Sequence, residues 1–404
     1  MAWRRNLFAV TSASFIGFTG FTLVMPFLPL YLHELGVSDV GEIALWSGLS
    51  LGVTPAVTAV MAPLWGRLAD RIGRKIMIER SLVSFVFVMA AMAFVTKAWH
   101  VFALRAIQGL FAGYGALTLT MAADSAPKDR TAYAIGVVQT AQRLGPALGP
   151  VIGGAVAQIV GLRRAFFVTS SLYLVAVVIV FFMYKEQRPA ASGAAHTERR
   201  VTFRSVLAFE NFILLIVVVF GLQFVDRSFG PVLPLYISQL GTSVETVPIV
   251  SGVLFSITAG AAAIGNNACG ALLRKMSARV VIAGAAALAS AGTLVYVFAG
   301  SIGLLLLGTA LFGGAIGVAT TAAYTAASNI IPATARGAGF GLLTTGSLTG
   351  LAVSPIVSGM LGAINIRAVF LLDTLCLLIL AGAVRRLMVS APLTATPAPA
   401  SEEL

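Results

Sequence analysis

The feature that most constrains this chain is a series of long apolar segments, each close to the length that crosses a lipid bilayer. A membrane-spanning helix needs about 20 residues that are mostly apolar. We number the predicted segments span 1 to span 12 in chain order: 7–32, 43–65, 76–96, 99–124, 132–159, 164–184, 211–238, 247–271, 279–299, 302–329, 335–361 and 366–388. The sequence therefore predicts an all-α integral membrane protein with twelve transmembrane helices.

The composition argues against a soluble protein with one aqueous core. Hydrophobic residues make up 58% of the 404 residues and charged residues only 10%, whereas soluble domains carry about 25% charge. The net charge of +12 is divided among short clusters between apolar segments, so it forms no basic face for nucleic acid. We expect the partners to be a lipid bilayer and a small-molecule substrate, with no nucleic acid and the chain acting as a monomer.

The spans form two sets of six on either side of the longest polar stretch. Residues 1–184 are predicted to be an N-terminal six-helix bundle, and residues 211–390 a C-terminal six-helix bundle. Residues 185–210, which contain several arginines, are interpreted as a cytoplasmic linker. Residues 391–404 are rich in Pro, Ala and Thr and lack apolar periodicity, which predicts a disordered cytoplasmic tail.

The distribution of basic residues predicts the orientation, because Lys and Arg concentrate in cytoplasmic loops. If both termini are cytoplasmic, most of the 27 Lys and Arg residues lie on that side. Only Lys97, Arg163, Arg164 and Arg367 then lie on the opposite side. An odd number of spans would scramble this bias, so the bias supports twelve. We expect a multi-pass protein of the bacterial inner membrane.

The two halves repeat each other. PFLPLYLHELG at 26–36 returns as PVLPLYISQLG at 231–241, and RRAFF at 163–167 returns as IRAVF at 366–370. Further matches follow in the same order and at a nearly constant separation. Transporters built from such repeats bind their substrates near the bilayer midplane, between the repeats. The sequence therefore predicts two pseudo-symmetric six-helix bundles with a site between them.

Four short motifs carry a resemblance to a known family. They are MPFLP at 25–29, GRLADRIGRK at 66–75, RAIQGLFAG at 105–113 and GPALGPVIGG at 145–154. With these motifs the chain resembles the major facilitator superfamily, and specifically its twelve-helix drug/proton antiporters, of which bacterial multidrug exporters look most similar. The resemblance covers nearly the whole chain. It implies the major facilitator fold and the export of small amphipathic molecules in exchange for protons by alternating access.

The loop motif between spans 2 and 3 supplies the gating candidates, which are Gly66, Asp70, Arg71, Gly73 and Arg74, together with Asp124 at the end of span 4. Its glycines are expected to allow a tight turn between two helices. The resemblance implies that Asp70 stabilises one conformation by a contact with the start of span 11, near Thr334. Asp124 is expected to pair with Arg71 or Arg74. The alternative is that these charges serve only topology.

The motif in span 5 contains the candidates Gly145, Gly149, Pro150, Gly153 and Gly154. Gly145, Gly149 and Gly153 are spaced by four residues, so they share one helix face and allow close packing. The prolines are expected to bend the span. The functional interpretation is a rocking contact between span 5 and span 8 or 11. A packing face without a special role is the alternative, and the two are compatible.

Ionisable residues within spans are the sharpest functional signal, because a charge in the bilayer is costly. Asp226 is the candidate for the carboxylate that binds and releases a proton, with Arg105 and Arg143 as further coupling candidates. Asp226 and Arg227 are adjacent, point about 100° apart on a helix, and are expected to contact different spans. A static ion pair of Asp226 with Arg143 or Arg105 remains the alternative. Asp373 is expected to form a structural pair with a neighbouring span.

Several polar and apolar side chains are expected to line the substrate cavity: Phe21, Met25, Gln139, Gln223, Arg227, Asn266 and Tyr324. Aromatic residues on spans 1 and 7 extend this set, namely Phe18, Phe21, Tyr31, Phe229 and Tyr236. A cavity rich in aromatic and Met side chains suits amphipathic or cationic organic molecules. The alternative for each aromatic residue is a place in helix packing or against lipid.

Other chemistries have no support in the sequence. There is no P-loop for ATP, no metal-ligand spacing among the three histidines, and no nucleophile with a nearby base. We therefore expect no enzyme activity, no cofactor and no metal, with the proton gradient as the energy source. Two alternatives to export remain open: proton-coupled uptake or facilitated transport of a small metabolite, and a non-transporting sensor on a transporter fold.

Overall fold

The computed structural model describes residues 2–127, 130–186, 209–331 and 336–389, which are helical without strands. The helices of spans 1 to 6 are Ala2–Leu23 with Leu28–Glu34, Val40–Ile72, Arg74–Met92, Ala98–Phe111 with Tyr114–Ser125, Thr131–Val160 and Leu162–Met183. Those of spans 7 to 12 are Phe212–Gln239, Val247–Leu273, Ala278–Phe298, Ile302–Ile330, Arg336–Ile364 and Ile366–Leu387. Most of the predicted linker at 185–210, and all of the predicted tail at 391–404, lie outside the described residues.

Ten of these helices are long and apolar enough to cross a membrane. Span 3 falls short because its first two turns carry Arg74, Lys75, Glu79 and Arg80. Span 4 does not contain one helix of that length, because a break at Gly113 divides it into two short helices. The φ of Gly113 is 111°, which is a left-handed conformation. The continuous helix predicted for span 4 is therefore wrong, since a left-handed residue cannot continue a right-handed helix.

Span 1 is also divided, whereas the sequence predicts one segment over 7–32. Its longer helix ends at Leu23, and a turn that contains Pro26 precedes the short helix Leu28–Glu34. Pro26 has no N–H group to donate to an α-helical hydrogen bond, so the helix is interrupted there. Pro29 is accommodated in the first turn of the short helix, where its missing N–H costs nothing.

The helices pack as two equivalent groups of six. In the first group span 1 packs on span 5, span 2 on span 4 and span 3 on span 6. In the second group span 7 packs on span 11, span 8 on span 10 and span 9 on span 12, which repeats the first arrangement. The two groups meet chiefly through span 2 against span 11 and span 5 against span 8. We call them the first bundle and the second bundle.

The same side-chain contact closes both bundles. The Asn6 amide donates to the Lys185 carbonyl at 2.8 Å and accepts from the Lys185 N–H at 3.0 Å. Asn211 makes the corresponding pair of bonds with Val389, at 3.0 Å and 2.9 Å. Each bundle is thus closed between the start of its first span and the residue beyond its last. We call this end of the molecule the terminal face and the opposite end the far face.

A second repeated contact lies near the far face. The Tyr31 hydroxyl group donates to the Met92 carbonyl at 2.5 Å, and the Tyr236 hydroxyl group donates to the Tyr296 carbonyl at 2.9 Å. Both tyrosines belong to the repeated LPLY sequence, and both carbonyls lie near the end of the third span of their bundle. The sequence repeat therefore corresponds to repeated three-dimensional contacts.

Candidate functional site

A cavity of about 710 Å³ lies between the two bundles. Spans 1 and 5 line it from the first bundle, and spans 7, 8, 10 and 11 line it from the second. Apolar side chains from both bundles are mixed with hydroxyl groups that come mostly from the second bundle, namely Thr258, Thr320, Thr321, Thr325 and Ser328. Such a mixture can hold an apolar molecule and orient its polar groups.

The cavity extends from the middle of the molecule toward the terminal face. At its inner end it is lined by Met25 and Asp226, and Asp226 lies about halfway along span 7. At its outer end it is lined by Ser328 and Phe340, which lie near the terminal-face ends of spans 10 and 11. The bundles thus leave a space between them on the terminal side of the midplane.

On the far side of the midplane the bundles are joined by direct backbone contact. A methyl group added to Gly252 of span 8 would overlap the carbonyl oxygen of Pro150 in span 5. A methyl group added to Gly48 of span 2 would overlap the carbonyl oxygen of Pro355 in span 11 in the same way. The two contacts are counterparts in the repeat. They bring the bundles together on the far side, so among the described residues the cavity opens toward the terminal face.

Three charged side chains line the cavity within the described ranges: Arg143, Asp226 and Arg227. The Arg227 Nε atom lies 3.3 Å from the Asp226 Oδ2 atom, although Nε has no hydrogen-bond acceptor in good geometry. The two adjacent side chains therefore contact each other, and both line the cavity. The alternative ion pairs of Asp226 with Arg143 or Arg105 are not formed among the described residues.

Arg105 is fully buried in the first bundle. Its Nη1 atom donates to the Gln108 Oε1 atom at 2.8 Å, and its guanidinium carbon lies 5.7 Å from the centre of the Phe21 ring. No carboxylate of the described residues lies within ion-pair distance of the Arg105 guanidinium group. Burial without a counter-charge is costly, and the amide and the ring face offset part of that cost.

A small cavity of about 30 Å³ lies next to Arg105. Phe21 and Arg105 line it from the first bundle, and Arg227 lines it from the second. Met25 and Arg227 also line the main cavity, so these two side chains form the partition between the cavities. Phe21 and Arg105 therefore lie one layer behind the main cavity wall.

The structure divides the other predicted cavity residues into two groups. Met25, Arg227, Asn266 and Tyr324 line the main cavity, and the Asn266 amide is hydrogen bonded to the Thr321 hydroxyl group at 2.9 Å. Gln139 and Gln223 do not line it. The Gln223 amide instead donates to the Ser347 hydroxyl group at 2.9 Å and joins span 7 to span 11.

The aromatic set predicted on spans 1 and 7 belongs to helix packing. Phe229 is stacked among Tyr296, Phe312 and Phe370, with ring centres 5.0 to 5.5 Å apart. Phe18 packs on Tyr114 with ring centres 5.6 Å apart, and Tyr31 and Tyr236 make the buried hydrogen bonds described above. The aromatic residues that line the main cavity are Phe255, Tyr324 and Phe340, so the expectation of an aromatic lining from spans 1 and 7 is wrong.

The loop motif contains one turning glycine rather than two. Gly73 separates spans 2 and 3 with a φ of 101°. Gly66 lies inside span 2, which continues without a break to Ile72, so its predicted role in the turn is wrong. Asp124 forms an ion pair with the Arg74 guanidinium group. Arg74 was one of the two partners expected for Asp124.

Glu186 is a loop residue that the sequence did not indicate. It follows span 6, and its Oε1 atom accepts from the backbone N–H of Arg74 at 2.7 Å. The carboxylate thus lies at the positive N-terminus of span 3, where it is stabilised by the helix dipole. An acidic residue directly after span 6 was the available signal. The predicted contact of Asp70 with span 11 near Thr334 falls outside the described side chains.

The glycines of the span 5 motif contact two different neighbours. Gly145, Gly149 and Gly153 face span 1 of the same bundle, where an added methyl group would meet backbone atoms of Thr19 and Leu23. Gly154 lies against the backbone of Pro248 in span 8, across the interface between the bundles. Span 5 thus contacts span 8, as one interpretation expected, while most of the glycine face packs within the first bundle.

Asp373 makes a buried contact with span 7. The Ser228 hydroxyl group donates to its Oδ2 atom at 2.5 Å, and both residues are fully buried. The Asp373 Oδ1 atom has no hydrogen-bond partner in the structure. The expected structural contact with a neighbouring span is therefore present, although its partner is a neutral hydroxyl group and not a cation.

Two bundles of six helices, a membrane-length helix set and a cavity between the repeats define a polytopic membrane transporter. Residues 10–302 and 252–403 match the family model described as Major Facilitator Superfamily. The chain belongs to this superfamily.

Curated relatives of the chain are bacterial proteins named for drug resistance. It is 35% identical over 282 residues to "Multidrug resistance protein MdtG" of Yersinia enterocolitica, covering 70% of this chain and 68% of that protein. It is 34% identical over 284 residues to "Multi-drug resistance efflux pump PmrA homolog" of Lactococcus lactis, covering 70% of each chain. The chain is therefore a major facilitator transporter with relatives among multidrug efflux proteins.

Solved structures share the fold over almost the whole length. A bacterial homolog of the human lysosomal transporter Spinster, in an inward-facing and occupied conformation, superimposes with a TM-score of 0.79 at 16% identity, covering 94% of this chain and 95% of that chain. A D-xylose-proton symporter superimposes with a TM-score of 0.76 at 14% identity, covering 96% and 98%. At these identities the likeness concerns the fold alone.

Proposed function

We propose that this protein exports small amphipathic organic molecules in exchange for protons, by alternating access between its two bundles. The observation that carries the proposal is the cavity between the bundles, with the Asp226 carboxylate in its wall. The names of the relatives support drug efflux as the direction. Because similar folds also occur in a proton symporter, the fold alone does not fix the direction of transport.

The cavity suits molecules of drug size. Its volume of about 710 Å³ falls within the range of about 300 to 1,000 Å³ that is usual for small-molecule sites. Phe255, Tyr324 and Phe340 offer apolar surface from the second bundle. Thr321 and Asn266 offer hydrogen-bonding groups on the same wall, which suits a substrate with an apolar body and a polar end.

The charges in the wall favour neutral or anionic amphipathic molecules over cations. Arg143 and Arg227 oppose the single carboxylate of Asp226 among the described lining residues, which leaves an excess of one positive charge. Like charges at close range repel each other strongly in a partly dry cavity. The cationic substrates considered from the sequence are therefore not supported by this lining.

Asp226 is the proposed site of proton exchange. Its carboxylate contacts Arg227, and both side chains are partly exposed, by 24% and 28%. Protonation of Asp226 would weaken its attraction to Arg227 and free that guanidinium to reorient. Arg227 also forms the partition toward Arg105, so its movement would change the wall between the two cavities.

The membrane orientation follows from the charges of the loops. We propose that the protein lies in the bacterial inner membrane with its terminal face in the cytoplasm, where most basic residues then lie. The cavity in this structure would then be accessible from the cytoplasm, which is the side from which an exporter takes its substrate. No cofactor is proposed, and the partners are the substrate and the bilayer.

The purified full-length protein in liposomes tests the proposal. With a pH gradient imposed across the liposome membrane, candidate drugs of neutral, anionic and cationic form are added one at a time, and proton flux is followed with a pH-sensitive dye inside. Export by exchange predicts that a transported compound moves protons in the direction opposite to itself. Co-movement of proton and compound would instead establish uptake, and absence of flux for every compound would favour a sensor.

A further inference from the structure

A second cavity, of about 500 Å³, lies on the outer surface of the second bundle between spans 9 and 12. It is near the terminal face and is separate from the cavity between the bundles. Its wall contains two arginines, Arg279 at the start of span 9 and Arg385 near the end of span 12. The other lining residues are small or apolar: Val280, Ala283, Gly284, Ala287, Ala381 and Gly382. We call this cavity the outer groove.

The outer groove exists because its floor lacks side chains. A methyl group added to Gly284 or to Gly382 would meet no atom within 4 Å, so both glycines border open space. On either side of the groove, apolar side chains face outward, as shown by Leu288 and Ile379, which are 49% and 69% exposed. In a membrane protein such a surface faces the acyl chains of lipids. The groove is therefore an indentation in the lipid-facing surface.

The first bundle shows what this surface looks like when it is filled. Lys75 Nζ donates to the Phe181 carbonyl between spans 3 and 6, and Arg279 donates to the Arg385 carbonyl between spans 9 and 12, within one residue of the corresponding place. The backbone relationship of the two helices is thus conserved in the repeat. Side chains differ, however. The repeat alignment puts larger residues of the first bundle opposite the small groove residues, namely Glu79, Arg80, Val83, Val178 and Ile179.

The charged residues that line the outer groove in the described part of the chain are both positive. Arg279 and Arg385 line it, no acidic residue of the described ranges does so, and Arg386 follows directly in the chain. Arg279 lies in the first turn of span 9, where the free N–H groups of the helix add a further partial positive charge. Basic pockets between spans on the cytoplasmic side attract anionic lipid head groups. A guanidinium group also binds phosphate oxygens through two parallel hydrogen bonds.

We propose that the outer groove binds one anionic phospholipid. The phosphate of its head group lies between Arg279 and Arg385, and one acyl chain lies along Gly284, Ala287 and Gly382. The arginines add little affinity for a lipid whose head group has no net negative charge. The apolar floor adds no affinity for a free phosphate ion. The site holds a lipid molecule at the joint between spans 9 and 12, away from the substrate cavity.

A purely structural role for the two arginines makes a different prediction. Arg279 hydrogen-bonds one of the last carbonyl groups of span 12, which would be left without a partner at the helix end. If this capping contact is the whole function, removing the Arg385 side chain has no consequence for lipid, because the bond is made to its backbone. Filling the floor at Gly284 likewise has none.

The test measures the lipid that the full-length protein retains. Protein in mild detergent is titrated with phosphatidylglycerol or with phosphatidylcholine, and bound molecules are counted by native mass spectrometry. We expect a single high-affinity phosphatidylglycerol. We expect Arg279→Gln and Arg385→Gln each to lower the affinity for phosphatidylglycerol about five-fold, since one basic residue near an anionic surface contributes about that factor. Gly284→Leu should abolish it by filling the floor.

A matched substitution controls for added bulk on the surface. Gly270 of span 8 also borders open space, but it lies outside the outer groove, so Gly270→Leu should retain the lipid. Inorganic phosphate at millimolar concentration should not displace it. Equal retention by wild type and all variants, equal binding of phosphatidylcholine, or full displacement by phosphate would each overturn the proposal. None of these readouts depends on transport, so the test stands apart from the proposed function.

Discussion

Gly252 of span 8 packs directly on the backbone carbonyl of Pro150 of span 5, without a side chain between the two helices. Its counterpart in the repeat is Gly48 of span 2, which packs on Pro355 of span 11. These contacts hold the two bundles together on the far side of the cavity. In an alternating-access cycle they are the contacts that must separate for the far face to open.

We predict that Gly252→Ala opens the far face, because the added methyl group cannot fit against the Pro150 carbonyl without moving span 8. A cysteine placed at Thr320, in the cavity wall, reports the change through a membrane-impermeant thiol reagent added from the far side. Its labelling should rise several-fold. Gly260→Ala, on the same helix but with no atom within 4 Å of the new methyl group, should leave labelling unchanged. Equal labelling of the two variants would contradict the prediction.

Asp226→Asn should abolish exchange driven by a pH gradient, because the amide neither binds nor releases a proton in the required range. Liposomes with an imposed gradient provide the measurement, with substrate counterflow in the absence of a gradient as the test that the variant still binds and moves substrate. Glu34→Gln serves as the control, since Glu34 pairs with Arg163 at 3.1 Å on the surface. Full gradient-driven exchange by Asp226→Asn would rule out this carboxylate as the proton carrier.

Arg143→Gln should weaken the binding of anionic substrates and leave the binding of neutral substrates nearly unchanged. The side chain lines the cavity, and an exposed charge at contact distance contributes about 1 kcal/mol, or about five-fold in affinity. Tryptophan-fluorescence or scintillation-proximity binding, with paired anionic and neutral forms of one compound, gives the ratio. An equal loss for both forms would mean that Arg143 supports the shape of the cavity and not its charge.

Gly73→Ala and Gly66→Ala should shift stability in opposite directions, although both lie in the loop motif. Gly73 has a φ of 101°, and a methyl group there meets the Glu186 carboxylate at 2.7 Å, so the substitution should cost at least about 1–2 kcal/mol. Gly66 is helical with open space around it, so alanine should stabilise the protein by about 0.5–1 kcal/mol. Thermal unfolding in detergent compares the two, and a common sign would refute the assignment.

Ser228→Ala should destabilise the second bundle by about 1–3 kcal/mol, because it removes the hydroxyl partner of the buried Asp373 carboxyl group. Asp373→Asn should be better tolerated, since an amide can keep a hydrogen bond with the serine and has no charge to bury. Thermal unfolding again provides the comparison. A larger loss for Asp373→Asn than for Ser228→Ala would show that the negative charge itself is needed at this place.

The number and approximate bounds of the spans were predictable, because the length of an apolar segment and the position of basic loops depend on the bilayer and not on side-chain packing. The bounds of span 8 and span 10, for example, differ from the sequence-based ones by two residues or fewer. The breaks in spans 1 and 4 were not predicted. Prolines and glycines are common inside membrane helices, so the sequence does not show which proline or glycine ends a helix. Gly66 and Gly73 show the same ambiguity within one motif.

The candidate site was predictable in part. Met25, Arg227, Asn266 and Tyr324 line the main cavity, since they lie on spans that border the interface between the bundles. Gln139 and Gln223 do not, because a few tens of degrees of helix rotation decide which face meets the cavity, and sequence periodicity does not give rotation in a membrane. The contact of Asp226 with Arg227 depends on side-chain conformation, which residue spacing alone does not determine.

The paired hydrogen bonds of Asn6 with Lys185 have a consequence for how the protein is made. Every helix contact within the first bundle, including this one, is formed by residues up to 186. The first bundle can therefore complete its own contacts before the ribosome has synthesised any span of the second. The equivalent bonds of Asn211 with Val389 can form only when the last span has been synthesised, so the internal contacts of the two bundles can be completed one bundle after the other.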